Sequence, residues 1–138
     1  MHLQRIRIEG LRNITSAELD LGAALNLVHG ANGSGKTSLL EAIYLLATTR
    51  SFRSRQMGSV VSLGADALRV FGRFDVDGRT MRVGIERSRS GVLRVRVDGA
   101  PVERASRLAA DLPTTIISPE TLDLVAGTPE LRRRALDW

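Results

Sequence analysis

At 138 residues with 43% apolar content, the chain has the length and core material of one ordinary domain, and its lack of cysteine excludes disulfides and thiolate metal sites. No apolar run approaches the ~20 residues needed to span a bilayer, and no signal-peptide stretch opens the chain, so a cytoplasmic location without membrane partners is expected. A net charge of +5 suits a polyanionic partner such as nucleic acid, or equally a solvated arginine surface; two histidines alone leave little for a zinc site.

In chain order, Leu3, Ile6 and Ile8 alternating with Arg5 and Arg7 predict a first strand over residues 2–9, interrupted by Gly10. A second strand is predicted over 15–21, with Ala17, Leu19 and Leu21 set against Glu18 and Asp20. Ala24 to Val28 reads as a short buried strand. It leads into Gly30-Ala31-Asn32-Gly33-Ser34-Gly35-Lys36-Thr37, which fits G-x-x-x-x-G-K-[ST]. After it, Leu39, Leu40, Ala42, Ile43, Leu46 and Ala47 recur at helical spacing to about Thr48.

This octet is a phosphate-cradling, or Walker A, loop. Its glycines permit backbone turns that aim successive N–H groups at one anion. Lys36 supplies a point charge for the β- and γ-phosphates, Thr37 an oxygen for Mg²⁺, and the following helix N-terminus favours negative charge. By chance such a match arises in roughly one chain in two hundred of this length. Lys36 is also the only lysine among 20 basic residues, placed where a compact ammonium suits a phosphate better than a guanidinium.

Beyond the helix, Arg50 to Arg55 form a basic loop containing Phe52, suited either to holding nucleic acid or to packing Phe52 back on the core. Residues 68–97 predict a three-stranded antiparallel meander turning at Asp77-Gly78 and Ser90-Gly91, with Arg82, Arg94 and Arg96 on its alternate face. That face is a basic stripe or simply the solvent side. A helix is expected over 103–110 and a buried strand over 114–117. Ser118-Pro119-Glu120 and Thr128-Pro129-Glu130 each read as a capped helix start. Glu120 could instead face a metal. No acid follows an apolar strand as a hydrolytic magnesium site requires, because Asp98 sits in an Asp-Gly turn.

The stretch from Gly30 through Ile43 resembles the SMC-like branch of the ABC ATPases, and within it the bacterial RecF replication and repair family. Leu11-Arg12-Asn13, Ser51-Phe52-Arg53, Ser118-Pro119-Glu120 and Arg132 to Trp138 support the resemblance in order and spacing. Ile14, Ile117, Thr121 and Ala135 depart from the residues usual there.

The resemblance implies an α/β fold: a P-loop ABC-type ATPase head lobe with a mixed sheet plus antiparallel meander. Residues 1–138 are expected to form a single N-terminal ATP-binding lobe, apparently truncated, with the Walker B acid and signature segment lying beyond it. It implies ATP and Mg²⁺ as cofactors, held by Gly30, Ala31, Asn32, Gly33, Ser34, Gly35, Lys36, Thr37 and Ser38, with Arg12 contacting base or ribose. Thr37 and Glu120 are the implied metal-side residues. Implied partners are DNA at single-strand gaps and duplex junctions, a second copy in an ATP-dependent homodimer, and other recombination mediators, in recombinase loading and the SOS response. Slow DNA-stimulated hydrolysis belongs to the complete protein, and none appreciable is expected of these residues alone. The alternatives are a non-catalytic P-loop interaction module and a small-molecule P-loop kinase.

Overall fold

The computed structural model describes residues 1–102 and 106–117. Glu120, both Ser/Thr-Pro-Glu helix starts and the arginine run at 132–134 lie outside them. Strands β1 (His2–Leu11), β2 (Ile14–Asp20), β3 (Ala67–Val76), β4 (Arg79–Ser88), β5 (Leu93–Val97) and β6 (Ala100–Pro101) form one sheet in the order β2-β1-β3-β4-β5-β6. Every described pairing is antiparallel. The turns that make this possible are short and chemically specific. Asp77-Gly78 and Asp98-Gly99 each place two consecutive residues at positive φ, the backbone that matches strand twist in a two-residue hairpin. Asp98 also accepts the Arg82 N–H at 2.8 Å, which ties this turn to the neighbouring strand β4.

One face of the sheet is apolar. Ile6 and Ile8 of β1, Leu68 and Val70 of β3, Val83 and Ile85 of β4 and Val95 of β5 are buried there. Helix α1 (Lys36–Thr48) lies on it through Leu39, Ala42, Leu45 and Leu46, and α2 (Ser106–Asp111) adds Leu108. Each fully buried leucine contributes roughly 2 kcal/mol relative to exposure. The helix approaches β3 closely because Gly72 lacks a side chain: a Cβ there would stand 2.6 Å from Leu46 Cδ1 and 2.8 Å from Phe74 Cε2.

Two predicted strands do not form. Residues 24–28 take no regular structure, and Leu25 and Leu27 are 90% and 84% exposed. A strand needs a neighbour to receive its N–H and C=O groups. No described segment pairs with this one, and the Asn26 side chain brackets Gly22 by bonds of 2.7 and 3.0 Å. Residues 114–117 are likewise unpaired, with Ile117 exposed. Of the helix expected over 103–110, residues 106–110 are helical in α2, which continues to Asp111, and residues 103–105 lie outside the described ones.

Filling the Gly72 gap will force α1 off the sheet. Gly72→Ala is expected to cost about 1–3 kcal/mol in denaturant unfolding, whereas Gly84→Ala, with open space around it, will change stability little.

Candidate nucleotide-binding site

The loop from Gly30 to Thr37 sits at the start of α1, and its backbone meets the demands read from its sequence. Gly33 (φ 80°) and Gly35 (φ 98°) occupy left-handed conformations that a Cβ would strain. Gly35 is the N-cap of α1 and no side chain caps the helix, so its first-turn N–H groups point into the loop without a side-chain partner. Lys36 folds across the loop, donating from Nζ to the Gly30 and Ala31 carbonyls at 2.8 Å each. The ammonium therefore stands at the mouth of the cradle.

What fixes the loop comes from the β1–β2 turn. Asn13 Nδ2 donates to the Gly33 carbonyl at 2.6 Å, and its Oδ1 accepts from Ser38 Oγ at 2.8 Å. One amide thus ties the middle of the loop to the first turn of the helix. Arg12, beside it, adopts φ 54°, a conformation costing a residue with a Cβ about 1 kcal/mol or more. Its guanidinium forks onto Glu41, with Nε and Nη2 each 2.9 Å from a carboxylate oxygen, and Nη1 donates to the Ser59 carbonyl at 3.1 Å.

Glu41 of α1 is wholly buried, between the β1–β2 turn and the loop after the helix. Besides Arg12 it accepts a hydrogen bond from Ser51 Oγ, and Arg53 Nη1 lies 3.7 Å away. The Glu41 hydrogen bond raises the Arg12 pKa above the usual guanidinium range, outweighing the lowering by burial. Ser51 Oγ in turn accepts from the Arg53 and Ser54 N–H groups, which shapes the loop after the helix. Phe52 meets Tyr44 edge to face at 5.7 Å, so its ring packs on the helix.

Arg12, Asn13, Asn32, Lys36, Thr37 and Arg53 line a cleft of about 440 Å³. A second cleft of about 540 Å³ lies on the other side of Lys36, against Val28, His29 and the start of β2. Of the residues singled out in the sequence, Arg12, Asn32, Gly33 and Gly35 to Ser38 thus converge on one opening, while Gly30 and Ser34 line the second cleft and the Ala31 carbonyl receives Lys36. Ser38 faces inward and is buried, held by Asn13. Asn13, Glu41 and Ser51 carry the architecture without having been assigned roles from sequence. The available signal was an acid on the apolar stripe of a helix, since Glu41 stands three residues before Tyr44 and four before the buried Leu45.

A phosphate loop opening a helix that packs across one face of an antiparallel sheet is the arrangement of an ABC-type ATPase head lobe, and solved heads of that class superpose on it. An SMC ATPase structure concerned with ATP-driven dimerization and DNA-stimulated activation aligns at TM-score 0.83 over 99% of this chain and 98% of its own, at 15% identity, a likeness of fold alone. The chain belongs to the RecF/RecN/SMC N terminal domain family, which it matches over residues 2–124. It is similar to the DNA replication and repair protein RecF of Shewanella piezotolerans, 46% identical over 138 residues, and to that of Stutzerimonas stutzeri, 43% identical over 139. It covers 38% of the length of each. A solved structure of the recombination mediator protein RecF-ATPrS in the RecFOR pathway aligns at TM-score 0.89 and 29% identity, over 99% of this chain and 37% of that one.

The buried ion pair generates a direct test. Glu41→Gln will leave the Arg12 guanidinium uncompensated and cost about 3 kcal/mol in chemical denaturation. A double-mutant cycle with Arg12→Met will return a favourable coupling above 1 kcal/mol.

Proposed function

We propose that the chain is the ATP-binding lobe, residues 1–138, of a RecF-like protein of DNA repair and replication. The observation that carries this reading is the loop itself, held open by Asn13 at an uncapped helix N-terminus with Lys36 across its mouth. The triphosphate lies along residues 30–38, with Lys36 exchanging its carbonyl partners for phosphate oxygens. Thr37, exposed in the cleft, offers Mg²⁺ the hard oxygen that the ion prefers. Glu120 is the further metal-side candidate.

Arg12 has five guanidinium N–H groups and uses three of them on Glu41 and Ser59. The remaining two are available to ribose or base. RecF has been solved with ATP, and that complex supports the assignment of this ligand. In the complete protein, a second copy closes over the nucleotide, DNA at single-strand gaps is the partner, and slow DNA-stimulated hydrolysis resets the assembly. Recombinase loading with other mediators, the SOS response and a cytoplasmic location complete the reading.

Calorimetry with ATP and Mg²⁺ tests the first step. Binding by the 138-residue chain that disappears in Lys36→Ala is expected; equal binding by both would refute the phosphate-loop assignment. Asn13→Ala is expected to weaken binding about tenfold, by leaving the loop untethered, at the scale of one net hydrogen bond. For the complete protein, ATP must strengthen DNA binding, and a failure to do so would remove the clamp reading.

A further inference from the structure

The Arg12-Asn13 turn fixes the phosphate loop, yet its own backbone is strained. It is a two-residue connection between Leu11 and Ile14, which face each other across β1 and β2. A hairpin of this length with positive φ at its first position favours glycine there. Arg12 occupies that position at φ 54°. Something outside the turn must hold it.

Residues 59–62, beyond the phosphate-loop helix, grip Arg12 from three directions. Its N–H donates to the Val60 carbonyl at 2.9 Å, and its carbonyl accepts from Ser62 Oγ at 2.7 Å. Its Nη1 donates to the Ser59 carbonyl. The Ser62 N–H donates to the Gly10 carbonyl at 2.8 Å and Leu11 bridges Val61 in antiparallel register, so the segment runs as a rail along the end of β1. Buried Val60 and Val61 anchor it. Among the groups that this rail contributes, the Ser62 hydroxyl alone is a side chain. The others are main-chain carbonyls that any residue supplies.

Ser62 is held in turn from the connection between β4 and β5. Arg89 donates from Nη2 to the Ser62 carbonyl at 2.6 Å and to the Val61 carbonyl at 3.3 Å, and from Nε to the Ala65 carbonyl at 3.3 Å. Its own N–H donates to the Asp66 carbonyl at 2.8 Å. The Ala65 N–H also reaches the Ser62 carbonyl, at 3.0 Å, so both lone pairs of that oxygen are occupied. Arg89 forms no ion pair with a carboxylate among the described residues. Its fork engages main-chain oxygens, and it fixes a loop rather than neutralising an acid.

We propose that Ser62 and Arg89 are positioning residues of the nucleotide site. Arg89 seats Ser62, and the Ser62 hydroxyl holds the Arg12 carbonyl in the strained turn. The turn then delivers Asn13 to Gly33 and Ser38, and the Arg12 guanidinium to the nucleotide. This inference rests on the ATP-binding reading above and extends it to two residues that share no cleft with the phosphate loop. Without the hydroxyl, the Arg12 carbonyl turns towards water and Asn13 loses its aim. The effect falls on the cleft rather than on the core, because neither side chain belongs to the buried cluster.

The test is calorimetric titration of the 138-residue chain with ATP and Mg²⁺, with the denaturation midpoint of each variant measured beside its affinity. Ser62→Ala is expected to weaken ATP binding about fivefold and Arg89→Ala about threefold, the scale of one net hydrogen bond. Ser62→Thr keeps the hydroxyl and is expected to stay within about twofold of the unmodified chain. Combined with Asn13→Ala, the Ser62→Ala loss does not multiply. The double variant is expected to bind within about twofold of Asn13→Ala alone, against the roughly fiftyfold loss that independent effects would give. Val95→Ala, a truncation in the core on β5, is expected to lower the midpoint more than either and to leave ATP affinity unchanged.

Full multiplication of the two losses would overturn the proposal, as would equal weakening by Val95→Ala or by Ser62→Thr, because general loosening of the fold would then be the cause. Undiminished affinity in Ser62→Ala and Arg89→Ala, beside its disappearance in Lys36→Ala, would overturn it too and leave the nucleotide reading standing. Binding by Lys36→Ala equal to that of the unmodified chain would remove both.

Discussion

A carboxylate with no exposure to water organises this fold. Glu41 lies on the buried side of the phosphate-loop helix, where an ionised acid is tolerated only if paired and fully hydrogen-bonded. The planar fork of Arg12 takes both of its oxygens, and Ser51 and Arg53 approach from the loop beyond the helix. Three segments distant in sequence are thereby drawn to one point: the end of β1, the middle of α1 and the chain leaving it. The left-handed backbone of Arg12 is held by the same pairing, and it aims Asn13 at the loop. A buried charge of this kind offers little net stability compared with an apolar replacement. Its value lies in geometry, because only one arrangement of helix and turn satisfies every donor and acceptor.

The sheet divides the molecule into two chemistries. On one face, alternate side chains form the core beneath α1, and Gly72 lets the helix come close. On the other, the same alternation sets out arginines and acids. The near absence of lysine fits both faces. Bidentate pairing of Arg12 with Glu41, and of Arg5 with Asp20, needs a rigid fork that an ammonium lacks. The one lysine stands where a flexible point charge suits phosphates.

Much of the architecture was legible locally. Strands β1 to β5 announce themselves by period-two alternation, Asp-Gly pairs mark two of the turns, and α1 is written in its apolar spacing. The failures share one cause. Residues 24–28 and 114–117 are apolar enough for buried strands, yet a strand is a relation between two segments, and no described neighbour pairs with either. Leu25 and Leu27 are exposed for that reason.

The sequence by itself determined the phosphate loop, because its function resides in consecutive backbone groups whose geometry the glycines and the helix start dictate. It also determined the meander and the presence of arginines on one face. Only the tertiary structure decided that Asn13 secures the loop from twenty residues away, and that Glu41 and Arg12 meet across twenty-nine. It likewise decided which arginines find acids. Those outcomes depend on strand register and helix placement, which bring distant residues within ångströms and which no local pattern encodes.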